Sequence, residues 1–369
     1  MLENTIYKKR IERVLEYLVE KDCNFALITP SPTFQYLTGI QREMRERLIA
    51  LVLQPEASPR IIAPAFEVTN LSNESWIKEF IPWAEDEDPY TVLAESIDTT
   101  KELVPGFDNS LPMGIYWSLE KALGPFSSAF SISPFVNEMR IVKSEEELDL
   151  MRKAGRIIAD AVMKAFSFAK LGMTEIELKH IVTNEITQAG ATPTFAAVQF
   201  GENSALPHHE GGIRELRRND VVLMDCGCAV GGYNTDMTRV GVVGEPTDEL
   251  ETVYATVLNA EETAIDRIQD GLACGKADGI ARKIIEEANY GDYFTHRLGH
   301  GIGLEVHEPP YLVRGNAMQL KTGMTHSVEP GIYLLDKFGI RIEDLVCVKE
   351  DEAEVLTYAP KDLFVIEVE

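Results

Sequence analysis

The sequence predicts an α+β protein, with a small α/β domain followed by a larger domain whose two halves repeat one order of elements. Three observations carry that expectation. The chain of 369 residues exceeds one ordinary domain of roughly 100–200 residues. Up to about residue 135, short apolar runs of strand type alternate with helical spacings, as in a small α/β domain. From Ser144 onward, two helical patterns followed by strand-like segments occur twice. The expected domains are residues 1–135 and 140–369, divided within the segment Ser133–Ser144.

In the first domain, Ile6, Ile11, Val14, Leu15 and Leu18 mark a helix over residues 2–21. Strands are expected at Phe25–Ile28, within the apolar run Leu48–Leu53, at Arg60–Ala63 and at Met113–Tyr116. Helical patterns fall near Tyr90–Ile97 and Leu119–Leu123. The acidic run Glu85–Asp88 before Pro89 reads as a solvated loop. Nothing in residues 1–135 proposes chemistry.

Ser144 with Glu147 forms a capping box that opens a helix to about Ala169, and Thr174 with Glu177 repeats the device. Gly190 is placed to end that second helix. Strands follow near Thr194–Phe200, Val221–Ala229 and Tyr233–Val243. Then the order recurs. A helix begins at Thr247 and runs to Asp270, another spans Lys276–Asn289, and strands return near Thr325–Tyr333 and Ile340–Val348.

Composition excludes several classes of function. The apolar fraction is 45% and the charged fraction 26%, ordinary for a globular protein. A formal net charge of −25 argues against nucleic acid, because phosphate contacts need a basic surface. No apolar run approaches the ~18 residues of a membrane span. The N-terminal stretch lacks the basic and apolar regions of a secretory leader. Five cysteines, odd in number and without ligand spacing, read as buried thiols in a reducing cytosol.

The chemistry gathers in two places. Taking Gly231–Gly232 as a two-residue hairpin turn sets Asp225 opposite Thr238 and puts Asp236 on the same face. Asp225 also ends the apolar run Val221–Met224, where an unpaired carboxylate would be costly. The stretch His296–Leu345 adds His300 between glycines, Glu329 before Pro330–Gly331, and Glu343 in the apolar strand Ile340–Val346. His300 is the better ligand candidate; His307 lies too far along the chain to be placed beside it on spacing alone. One imidazole and the four carboxylates of Asp225, Asp236, Glu329 and Glu343 balance two divalent cations. That ligand set points to Mn²⁺, Co²⁺ or Zn²⁺ and not to a thiolate zinc site. Such a pair activates water and polarises a carbonyl, which is machinery for hydrolysis.

These residues stand in motifs that resemble the pita-bread metallopeptidases, the family of methionine aminopeptidases, aminopeptidase P, prolidases and creatinases. The matching segments are MDCG, NTDMTR, RLGHGIGLEVHE, SVEPG and GIRIED, with NSALPHH and MRIVKSEEELDLMRKAG beside them. The resemblance implies a pita-bread catalytic domain behind a creatinase-type N-terminal domain, two divalent metal ions, and a homodimer. It implies that Asp225 chelates one ion, that Asp236 and Glu343 bridge, and that His300 and Glu329 complete the other. Glu329 would also shuttle the proton of the attacking water. His208 and His307 would hold substrate and stabilise the oxyanion, and Arg341 would orient the bridging carboxylates. His326 departs from the pattern, which has an apolar residue there, and reads as a packing variant.

Within this family the complete ligand set argues against a creatinase, and the long N-terminal domain against a methionine aminopeptidase. The expected reaction is hydrolysis of the Xaa-Pro bond in dipeptides, as in bacterial prolidases. Xaa-Pro aminopeptidase activity on longer peptides, hydrolysis of a non-peptide amide, and a peptidase-like binding protein without activity are the alternatives. A dipeptidase needs a cation for the substrate's C-terminal carboxylate, and Arg314, in the loop after His307, is the candidate.

Overall fold

The computed structural model describes residues 2–100 and 102–367. The chain divides into two compact units, Met1–Arg140 and Ile141–Glu369.

The first unit carries helices α1 (Asn4–Glu20), α2 (Pro32–Thr38), α3 (Val68–Glu74), α4 (Pro89–Ala94), α5 (Met113–Leu123) and α6 (Ser133–Arg140). Its strands are β1 (Phe25–Ile28), β2 (Ala50–Leu53), β3 (Arg60–Pro64), β4 (Glu79–Trp83), β5 (Pro105–Phe107) and β6 (Phe130–Ser131). They form one sheet in the order β4-β3-β2-β1-β5-β6. β2 runs antiparallel to both its neighbours, and the remaining pairs are parallel. Phe25, Leu27, Val52 and Ile62 from the sheet bury against Leu93 and Leu119 of the helices. One expectation is corrected here: Met113–Tyr116 is the first turn of α5 and not a strand. Ile115, Leu119 and Leu123 are its buried residues, spaced four apart on one helical face, and that packing overrides the strand-like composition. Asp88 caps α4 through the Tyr90 N–H, so the acidic run belongs to a turn.

The second unit opens with α7 (Glu145–Phe168) and α8 (Glu175–Gln188), each started by the expected capping box. Strands β7 (Thr192–Phe200), β8 (Val221–Val230) and β9 (Tyr233–Val243) follow. Next come α9 (Asp248–Ile265), capped by Thr247, and α10 (Cys274–Glu287). The later strands are β10 (Gly299–Gly301), β11 (Glu308–Leu312), β12 (Thr325–Val328), β13 (Gly331–Leu334), β14 (Phe338–Arg341), β15 (Asp344–Val348), β16 (Ala353–Val355) and β17 (Phe364–Ile366). One sheet has the order β17-β9-β8-β7, another β11-β10-β12-β15-β16, and β13 pairs with β14 alone.

Each half has its own core. Residues of α7 and α8 such as Ile158, Val162, Leu178 and Val182 pack on Val198, Met224 and Met237. Val253, Val257, Ala277 and Ala281 of α9 and α10 pack on Leu312, Val328, Ile340 and Val346. An isolated bridge between Thr238 and Glu343 links the two halves, with the Glu343 N–H donating to the Thr238 carbonyl at 3.2 Å. Among the described residues, no helix is long and apolar enough to cross a membrane.

Candidate metal centre

The β8–β9 hairpin closes at Gly231 and Gly232, whose φ values of 59° and 86° are the positive ones a two-residue hairpin turn requires. The register then runs without a bulge, pairing Asp225 with Thr238 and Gly227 with Asp236. Both aspartates therefore project from one face, where the charge of Asp225 acts on Asp236.

The two glutamates arrive differently. The expected strand Thr325–Tyr333 is two strands, β12 and β13, interrupted at Glu329–Pro330. The expected strand Ile340–Val348 is likewise β14 and β15, interrupted at Ile342–Glu343. In both cases the chain leaves one sheet for another at the glutamate. Proline cannot donate to a ladder, so Pro330 helps force the first break. The breaks turn carboxylates that would have joined a strand face toward the interior between sheets.

His300 lies on β10. A Cβ on the preceding Gly299 would stand 2.0 Å from the Ser327 carbonyl oxygen, so only glycine lets β10 approach β12 this closely. The His300 N–H donates to Ser327 Oγ at 3.0 Å. Its ring Nδ1 is 3.1 Å from the Gly301 carbonyl, which can only accept. The proton must therefore sit on Nδ1, which leaves Nε2 a bare lone pair facing the carboxylates. Nε2 is 3.3 Å from Glu329 Oε1 and 3.7 Å from Asp236 Oδ2.

Ligand atoms of Asp236, His300 and Glu343 all lie within 4.8 Å of one another. Thr238 Oγ1 donates to Glu343 Oε2 at 2.7 Å, and Ser327 Oγ donates to Glu329 Oε1 at 3.0 Å. Arg341 donates to Asp225 Oδ2 at 2.6 Å, to Thr238 Oγ1 at 3.1 Å and to the Tyr333 hydroxyl at 2.8 Å. The second oxygens of three carboxylates, Asp225 Oδ1, Asp236 Oδ1 and Glu343 Oε1, are buried with no hydrogen-bond partner. Carboxylate oxygens hidden from water without donors are strongly disfavoured unless a cation meets them. With the bare His300 Nε2, this donor set fits divalent metal ions.

The electrostatics agree. Burial, reinforced by neighbouring carboxylates, raises Asp236 and Glu343 well above the ordinary carboxylate range. Glu329 is also raised, chiefly by burial. His300 is pushed down to about 4 by burial, so it is neutral at physiological pH. A metal ion reverses this cost by stabilising the charged carboxylates and the neutral imidazole together.

These groups border a cavity of about 780 Å³ that also reaches Thr194, Phe195, His208, Arg297 and His307. His307 packs edge-on against the His300 ring at 4.2 Å between centroids, so the fold does bring it beside the ligand cluster. His208 is exposed on the opposite loop. Arg314 is absent from this lining. Its side chain is 74% exposed and pairs with Glu286 at 3.1 Å. Sequence spacing could not separate a cation facing the cavity from one on the outer loop.

Several supporting residues were not read from the sequence. His296 Nδ1 donates to the Arg297 carbonyl at 2.8 Å, so its Nε2 accepts from the Tyr333 hydroxyl at 2.8 Å. The chain His296–Tyr333–Arg341–Asp225 thereby fixes one wall of the site. Glu175, fully buried at the start of α8, accepts from the Phe200 N–H (2.8 Å), Asn203 Nδ2 (2.9 Å) and the Gly212 N–H (2.7 Å). It also lies 3.2 Å from His209 Nε2. In the sequence it is one more acidic residue in a first helical turn, where exposure is the rule. Its partners bracket the loop that carries His208. We therefore expect Glu175→Ala to lower kcat/KM about 10²-fold by letting that loop drift. The same change in a His208→Ala background should cost little further activity. A full loss in both backgrounds would show that Glu175 does not act through His208.

His326 is buried on β12 with Nδ1 donating to the Ser327 carbonyl at 2.9 Å and Nε2 without a partner. Burial lowers it to about 4. Below its ordinary value of ~6.5 the unfolded chain takes up a proton that the folded chain refuses, so stability falls as pH falls toward 4. By pH 5 this group alone should account for about 2 kcal/mol of lost stability. His326→Leu should remove that part of the acid dependence in urea unfolding at pH 7 and pH 5. An unchanged difference between the two pH values would refute it.

Two family models match the chain: "Metallopeptidase family M24" over residues 149–350, and "Creatinase/Prolidase N-terminal domain" over residues 10–142. An Xaa-Pro dipeptidase of Lactobacillus delbrueckii subsp. lactis is 32% identical over 364 residues, covering 97% of this chain and 99% of that protein. The crystal structure of a prolidase from Thermococcus sibiricus superposes with a TM-score of 0.91 at 36% identity, covering 99% of this chain and 100% of that one. An X-Pro aminopeptidase from Thermotoga maritima superposes with a TM-score of 0.86 at 30% identity, covering 96% and 99%.

Proposed function

We propose a function from one premise: the chain belongs to metallopeptidase family M24. Its reaction is hydrolysis of the Xaa-Pro peptide bond, with dipeptides as the preferred substrates. The observation that carries the reading is the set of buried, partnerless oxygens on Asp225, Asp236 and Glu343 beside the bare Nε2 of His300, at a cavity open to a small peptide. Asp225, Asp236, His300, Glu329 and Glu343 would hold two divalent ions, manganese first. Bound there, the ions supply Lewis-acid polarisation of the scissile carbonyl and a water of lowered pKa.

The chain's own residues do the rest. Glu329, 3.3 Å from His300 Nε2 at the edge of the cavity, is placed to take a proton from the attacking water. It returns that proton to the proline nitrogen as the C–N bond breaks. That nitrogen carries no hydrogen of its own before cleavage, so a positioned acid is required. His307 has its pKa lowered by burial and is neutral; with His208 it offers N–H donors to the developing oxyanion. Arg341 holds Oδ2 of Asp225 and so leaves Oδ1 for an ion. All five cysteines are buried free thiols, in keeping with a cytoplasmic protein, and the family resemblance adds a homodimer.

Kinetics on Xaa-Pro, Xaa-Pro-Yaa and non-proline dipeptides, with metal analysis of the same preparation, tests this reading. Two ions per chain and the highest kcat/KM on Xaa-Pro are expected. Preference for Xaa-Pro-Yaa would make the protein an aminopeptidase, the reading favoured by the likeness to the Thermotoga maritima enzyme. A chain without metal or activity would be a binding protein.

A further inference from the structure

The proposed ligands come from two halves linked at the Thr238–Glu343 bridge, whose backbone bond of 3.2 Å is at the long end of the usual range. Behind that junction lies Arg239. Alternation along β9 turns it away from the face that carries Asp236 and Thr238, and it does not line the cavity. Its side chain is only 2% exposed, and each N–H of the guanidinium is spent. Nη1 donates to the Thr238 carbonyl at 3.0 Å and to the Glu343 carbonyl at 2.7 Å. Nη2 donates to Asp344 Oδ1 at 2.7 Å and to the Ala359 carbonyl at 3.1 Å, and Nε to the Pro360 carbonyl at 3.0 Å. Asp344 is held in turn by Thr357 Oγ1 and Lys361 Nζ, both at 2.8 Å. Lys361 is pinned by the fully buried Glu261 of α9 at 2.7 and 2.8 Å.

A rigid planar fork that grips two carbonyls through one nitrogen fixes the distance between the strands that carry them. Here those carbonyls belong to Glu343 itself and to the residue two places after Asp236 on β9. Groups outside a ligand set decide how its members are aimed, and so tune the metal they hold. Resting on the centre proposed above, we infer that Arg239 is a positioning residue. From behind the junction it sets the spacing between the Asp236 and Glu343 carboxylates, and hence the affinity for the ions they share. Asp344, Lys361 and Glu261 keep its guanidinium in register. Buried ion pairs add little net stability over well-packed apolar side chains, because desolvating the charges cancels most of their attraction. The contribution of this network is the geometry it imposes.

Titration calorimetry of the metal-free, full-length chain with manganese chloride tests this, comparing Arg239→Met and Arg239→Lys with the unmodified protein. For Arg239→Met the Kd for manganese should rise roughly 10- to 100-fold, the usual cost of losing a group that orients metal ligands. Arg239→Lys keeps the charge beside Asp344 but cannot span both carbonyls. It should fall between, and it carries the test if the methionine variant does not fold. Thermal melts separate positioning from stability. The Tm gained on adding manganese should shrink in the variants, whereas a merely structural arginine would lower Tm equally with and without metal. An unchanged Kd in a folded variant, or that equal lowering, would overturn the role of Arg239. In both cases the unmodified protein still loads two ions and the proposed function stands. An unmodified protein that binds no ion would remove both.

Discussion

Asp236→Asn is expected to abolish stoichiometric metal binding and lower kcat/KM at least about 10³-fold, equivalent to about 4 kcal/mol of lost transition-state stabilisation. Asp236 lies 3.7 Å from His300 Nε2 and shares a cluster with Glu343, so it serves the centre from the middle. The same substitution should have the opposite effect on the metal-free protein. Burial and the neighbouring carboxylates raise the pKa values of Asp236 and Glu343. A raised carboxylate pKa means that stability is fully present below the unfolded-state value and is lost as pH rises through the folded one. With a chelator present, the wild-type chain carries more of that penalty at pH 8 than at acid pH, and Asn at 236 relieves part of it. Tm should therefore invert, with Asp236→Asn melting above the wild type when metal is chelated and below it in excess manganese. A variant that still binds two ions, or melts below wild type under both conditions, would contradict this account.

His208→Ala should lower kcat about 10²- to 10³-fold while leaving metal content at the wild-type level. His208 borders the cavity and, among the described residues, makes no hydrogen bond or ion pair to the five proposed ligand side chains, so its removal should leave them in place. Its effect belongs to the developing oxyanion, so KM for Xaa-Pro should move far less than kcat. His208→Gln retains an N–H donor and should recover part of the loss. If kcat is unchanged, or falls only in step with lost metal, the donor role is wrong.

Much of the centre was legible because its chemistry sits in local patterns. The two glycines at 231 and 232 define the hairpin register, and that register puts Asp225 and Asp236 on one face. Capping boxes at Ser144 and Thr174 mark helix starts because each satisfies backbone donors within four residues. The misreadings share one cause, namely that the deciding partner is remote in sequence. Met113–Tyr116 has the composition of a strand, and only the surface it buries makes it helical. The runs Thr325–Tyr333 and Ile340–Val348 look continuous, and only the second sheet explains their interruption at Glu329 and Glu343. The place of Arg314, exposed and paired with Glu286, is likewise a tertiary fact that its letter does not carry.

The five proposed ligand side chains are divided between the two structural repeats: Asp225 and Asp236 come from the first, His300, Glu329 and Glu343 from the second. No contiguous fragment confined to one repeat contains a complete site. One repeat alone could complete such a centre only with a second chain beside it, so separating the two repeats should cost the metal along with the fold.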